Sequence, residues 1–114
     1  MNERRMSNRL PVNFPAALKA GKLTAEGSIC QISANGMLFE CSKHFDTQET
    51  GVFELLVFDK EPPIALEGKV IYKIYHNDGQ NTTLRYGVQF TSLDNYINKN
   101  AVERIISFVT ARGR

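Results

Sequence analysis

The stretch IALEGKVIYKIYHNDGQNTTLRYGVQF, residues 64–90, decides the architecture. From Ile64 to Tyr75 the side chains alternate. Val70, Tyr72 and Ile74 fall on one face and Lys69, Ile71 and Lys73 on the other, the period-two signature of a strand. HNDGQN (76–81) interrupts that pattern, and Asp78-Gly79 suits the positive φ angles of a hairpin tip. Thr82 to Phe90 then returns as a partner strand.

Working outward, the same reading extends in both directions. VFELLVF, from Val52 to Phe58, is a dense apolar run read as a strand, ended where Pro62 and Pro63 forbid continued pairing. Met37 to Cys41 is a short strand followed by a polar loop over 42–50. Val12 to Ala20 and Leu23 to Ile32 are two more, joined tightly by Gly21-Lys22, with Pro15 marking an edge or an irregular start. Towards the C-terminus the period changes. Over about 94–111, Ile97, Ala101, Val102, Ile105, Ile106, Phe108 and Val109 recur at helical spacing, opposite Glu103, Ser107 and Thr110. Ser92 or Asp94 suits its N-cap, and Gly113 lies past its end. Six strands and then one helix, with no β-α-β alternation, predict an all-β domain with a C-terminal helix: a small antiparallel barrel or sandwich.

The chain's 114 residues make one domain, and 42% hydrophobic residues supply a core without disulfides or metal. No run approaches the roughly 18 apolar residues of a membrane span, and MNERRMSNR has no apolar stretch like that of a signal peptide. The expectation is a cytoplasmic protein with no direct membrane insertion. In a reducing compartment Cys30 and Cys41, both inside apolar segments, act as small buried hydrophobes. His44 and His76 are isolated from each other and from the cysteines, so no metal site is expected. The net charge of +2 is local: Arg4, Arg5 and Arg9 against Glu3 account for all of it. The remaining residues carry equal numbers of each sign, unlike the spread basic face of a duplex-binding protein.

Catalysis finds little support. No nucleophile elbow, phosphate-binding glycine loop, HExxH or paired Cys-x-x-Cys occurs. The chain reads as a binder, not an enzyme. Two elements carry that reading. Arg5 and Arg9 stand at i, i+4 just before the first strand, and their guanidinium forks suit phosphate oxygens and the O6/N7 edge of guanine. A solvated basic tail is the alternative. Gln31-Ile32-Ser33-Ala34-Asn35-Gly36 sits between two apolar strands, where Gln31 and Ser33 present short polar groups and Gly36 admits a close approach. An ordinary turn uses the same residues.

In order, the two elements resemble the PilZ domain family, receptors for the bacterial second messenger cyclic di-GMP. The RxxxR motif is Arg5-Met6-Ser7-Asn8-Arg9, extended by Arg4 to RRxxxR. The (D/N)xSxxG motif is matched at Ser33 and Gly36, and Tyr86-Gly87-Val88-Gln89-Phe90 is similar to the family's closing strand. The resemblance implies a six-stranded antiparallel PilZ-like β-barrel over residues 11–114, a ligand-binding arm over residues 1–10, and no cofactor besides the ligand. Arg5 and Arg9 would fold onto cyclic di-GMP, Arg4 would hold a second, intercalated ligand molecule, and Gln31, Ser33 and Gly36 would form the barrel-side wall. The arm, loose without ligand and docked with it, would signal through an effector protein.

Gln31 departs from the family, which has Asp or Asn there. It carries the amide one methylene further out. A degenerate PilZ-type interaction module that binds no nucleotide is therefore an alternative. A single-stranded nucleic-acid binder using Phe14, Tyr72, Tyr75 and Tyr86 is another, opposed by the charge-neutral barrel and by aromatic spacing typical of a core; no nucleic-acid polymer is expected as partner.

Overall fold

A computed structural model describes residues 9–91 and 96–112. Six strands precede one helix: β1 (Leu10–Ala20), β2 (Leu23–Ile32), β3 (Gly36–Cys41), β4 (Thr50–Leu55), β5 (Ile64–Asp78), β6 (Asn81–Phe90) and α1 (Tyr96–Arg112). They close into an antiparallel barrel in the order β1-β2-β3-β6-β5-β4. The expected architecture is the observed one. The expected division into arm and barrel falls partly on residues 1–8, outside the described residues, as do both candidate N-caps and Gly113. β1 begins at Leu10, two residues before the expected start at Val12.

Alternation fills the interior. Phe14, Leu18, Ile29, Phe39, Phe53, Leu66, Val70, Tyr86 and Val88 are all buried. The rings of Phe39 and Phe53 meet edge to face with centroids 5.3 Å apart. Pro15 does mark an irregular start: the β1–β2 register shifts between Pro11 and Phe14, and β4 joins β1 only from Ala16 onward. At the β5–β6 tip Gly79 takes φ +67°, with nothing near its missing side chain.

Three expectations need correction. The apolar run 52–58 is not one strand. β4 ends at Leu55, the Leu56 amide donates to the Pro15 carbonyl at 2.9 Å, and the chain bends out. Phe58 then packs against Phe108 of α1 at 4.8 Å and beneath the Arg104 guanidinium at 4.1 Å. Arg104 also forks onto Glu61, with both carboxylate oxygens 3.0 Å away. The second correction lies in the loop 42–50, which is polar by composition yet drives Phe45 into the barrel. Phe45 stacks on Tyr86 at 3.9 Å, while the Tyr86 hydroxyl donates to the Lys43 carbonyl and accepts from the Phe45 amide.

The third concerns β5. Its register against β6 shifts between Val70 and Tyr72. A bulge there inserts one unpaired residue, Ile71, and moves the following side chains to the opposite face. Val70 points inward, whereas Tyr72 and Ile74 lie outside, Ile74 at 45% exposure. The single face expected for Val70, Tyr72 and Ile74 is split in two.

Helix α1 packs on β1 and β5. Val102 and Ile105 are buried against the barrel, and Ala101, Ile106 and Val109 flank them. No helix among the described residues is long and apolar enough to cross a membrane.

Candidate functional site

The β2–β3 connection is Ser33-Ala34-Asn35, closed by the Ser33 amide donating to the Gly36 carbonyl at 2.8 Å. Ser33, at 7% exposure, is the buried polar residue of this region, and its hydroxyl donates to the same carbonyl at 3.3 Å. β6 holds the turn from the side, because the Phe90 amide donates to the Asn35 carbonyl at 2.9 Å. Gly36 is glycine because of β6: a Cβ there would collide with the Val88 carbonyl oxygen. The neighbour that forbids a side chain at Gly36 is therefore the protein's own backbone.

Gln31 is turned by a third register irregularity. The β2–β3 register shifts between Ile29 and Gln31, so Ile29 and Ile32 both point inward while Gln31 faces out. Cross-strand pairing then sets Gln31, Leu38, Gly87 and Tyr72 in one row on the outside of β2, β3, β6 and β5. Over this row runs an open groove of about 330 Å³. Arg9, Gln31, Ser33 and Gly36 all line it, with Asn35 and Gln89 adding amides and Tyr72 the opposite wall. Arg9 is the one charged side chain lining it among the described residues. One cation, several neutral donors and acceptors, and an apolar floor suit an anionic ligand with planar, polar ring systems. Arg4 and Arg5 lie outside the described residues.

The neighbouring outer row is closed upon itself. Arg85 Nε meets Glu40 Oε2 at 3.1 Å, and the Thr83 hydroxyl donates to the same oxygen at 2.9 Å. Burial raises the Glu40 pKa, but the hydrogen bonds from Thr83 and Arg85 outweigh it, and the carboxyl ends below its ordinary value. Cys30, expected to be buried, is half-buried beside this pair; Cys41 is buried, and both are free thiols. Burial pushes each thiol pKa up, so neither is poised as a nucleophile. Among the described residues no three His, Cys, Asp or Glu side chains are grouped to hold a metal ion.

Leu38, Ile71 and Gln89 are lining residues to which the sequence assigned no site role, and Tyr72 entered only as a stacking candidate of the nucleic-acid alternative. The legible signal was Gly87, a glycine in mid-strand, which marks a close approach. Behind the turn lies a second hollow of about 700 Å³, between Ala34-Asn35 and Lys99, Val102 and Ile106 of α1.

A model of the PilZ domain family matches residues 3–108. The chain belongs to the PilZ domain family. Solved structures agree on the fold. The PilZ domain of YcgR from Escherichia coli, solved with cyclic di-GMP, aligns with TM-score 0.79 and 17% identity over 98% of this chain and 95% of that one. The cyclic di-GMP complex of MrkH from K. pneumonia aligns with TM-score 0.76 and 16% identity over 99% and 55%. The inhibitor of motility MotI from Bacillus subtilis aligns with TM-score 0.72 and 15% identity over 98% and 52%. The chain thus spans about half the length of the last two. Comparison with curated proteins gives no match.

Proposed function

We propose that this PilZ domain is a receptor for cyclic di-GMP and not an enzyme. The observation that carries the reading is that Arg9, Gln31, Ser33 and Gly36, drawn from separate parts of the chain, line a single groove. Structures of this fold in YcgR and MrkH hold that ligand, which supports the same use here. In this reading the Arg9 fork takes a phosphate or the guanine O6/N7 edge. The Gln31 amide reaches a guanine from the barrel side. Ser33 spends its proton on Gly36 and keeps oxygen lone pairs for a ligand donor.

Residues 1–10 serve as the ligand-binding arm, with Arg5 as the second fork and Arg4 holding a second ligand molecule; residues 11–114 form the barrel and helix. Ordering an arm costs conformational entropy, so affinity is moderate. The ordered arm presents a surface that the free domain lacks, and an effector protein reads it in the cytoplasm.

Calorimetric titration with cyclic di-GMP tests the reading. Arg5→Ala and Arg9→Ala should each weaken binding at least about tenfold, the loss of one charge-assisted contact. If both titrate like wild type, the site is elsewhere. At Gln31 the alanine variant separates two cases: weakened binding means the amide reaches the ligand, and unchanged binding means it has turned away. Undetectable wild-type binding rescued by Gln31→Asp would indicate a degenerate domain. No binding by either protein would remove the receptor reading.

A further inference from the structure

We propose that Tyr72 is a ligand-contacting residue whose ring, laid across Gly87 on the outside of the barrel, is the platform for one purine face of the ligand. The proposal rests on the cyclic di-GMP reading and identifies the part of the groove that takes the base furthest from Arg9 and Gln31.

The bulge puts the ring there. Without the extra residue Ile71, Tyr72 would follow Val70 into the core by simple alternation. With it, Tyr72 pairs with Gly87 on the outer face, half-buried, and Ile71 is 43% exposed beside it in the same groove. Gly87 completes the seat. The three atoms nearest an added Cβ at Gly87 all belong to the Tyr72 ring, which therefore fills the space of the missing side chain. A ring held in this way against a strand loses little freedom when a base is laid on it.

The span of the groove points the same way. Gln31 on β2 and Tyr72 on β5 are three strand spacings apart, roughly 14 Å along the sheet at about 4.8 Å per step. Leu38, at 6% exposure, and Gly87 lie between them as a low apolar floor. A ligand with one base held at the Gln31 end would leave the Tyr72 end empty, whereas a two-base ligand reaches both. Stacking accepts any base because every base has a π-face. Tyr72 thus contributes affinity, and selection for guanine remains with the Arg9–Gln31 end.

Three variants test this by calorimetry. Tyr72→Thr, a good strand residue, should weaken cyclic di-GMP binding about tenfold, while Tyr72→Phe should stay within about twofold of wild type. Gly87→Ala should displace the ring and weaken binding in the wild-type background, and add little loss when combined with Tyr72→Thr. The chain has no tryptophan, so Tyr72→Trp supplies a single tryptophan, whose emission should be quenched on saturation with cyclic di-GMP. Tight wild-type binding that survives in Tyr72→Thr overturns the proposal and leaves the receptor reading standing. Equal losses in the threonine and phenylalanine variants would also overturn it, since the hydroxyl would then be the contact. Absence of wild-type binding removes the receptor reading and this proposal with it.

Discussion

Two hairpin tips of similar composition, Ser33-Ala34-Asn35-Gly36 and Asp78-Gly79-Gln80-Asn81, do opposite things with their glycines. At the β5–β6 tip Gly79 adopts a left-handed φ of +67° and has open space around it. There glycine answers to the backbone of its own turn. The β2–β3 tip has no such residue: positive φ among the described residues occurs at Gly21, Gln48, Lys60 and Gly79, none of them in 33–36. Gly36 instead answers to a different strand, whose Val88 carbonyl occupies the place of a side chain. The first tip is a free end, and the second is a turn locked by β6 through Phe90 and the buried Ser33. A rigid turn beside a groove is a fit place for ligand contacts.

Substitutions can break this contrast. Gly36→Ala should have the largest effect, because overpacking against a backbone oxygen cannot be relieved by a rotamer change. A loss of roughly 1–3 kcal/mol is expected in chemical denaturation, together with weaker cyclic di-GMP binding. Gly79→Ala should cost about 1–2 kcal/mol through left-handed strain alone, with ligand affinity unchanged. Equal affinity losses for the two variants would erase the distinction between the tips. Ser33→Ala should remove about 0.5–1.5 kcal/mol by deleting the hydroxyl bond to Gly36, and its affinity loss should exceed its stability loss if the hydroxyl oxygen also serves the ligand. The smallest effect belongs to acid. The Glu40 pKa is depressed in the folded state, so its contribution is present above the ordinary value of 4.5 and fades as pH falls through the lowered folded value. Urea midpoints should therefore drop slightly further in wild type than in Glu40→Gln on acidification below about pH 4.5. Equal drops would show that Glu40 contributes nothing there.

The strands and helix were legible because long segments repeat at period two or 3.6. The irregularities were not. The register shifts near Pro11, Cys30 and Ile71 depend on which residue of a partner strand sits opposite, and one chain's own alternation carries no such information. For this reason Tyr72 was placed on the wrong face, and Ile71, read as an ordinary member of the face of Lys69 and Lys73, was not seen as a bulge. Phe45 was missed because a single ring in a polar loop has no period at all. Of the groove lining, Ser33, Gly36, Gln31 and Arg9 stood out in the sequence through their ordered motifs. Leu38 and Gln89 were hidden because a buried leucine on the outside of a barrel looks like core, and an exposed amide looks like surface.

Asn35 borders two hollows, the groove over Gln31 and Tyr72 on one side and, together with Ala34, the space against α1 on the other. Any displacement of Asn35 would therefore alter the space beside Val102 and Ile106 as well as the groove. By linkage, an occupant of that space that favours one position of the turn changes groove affinity by the same factor that the groove's ligand changes its own.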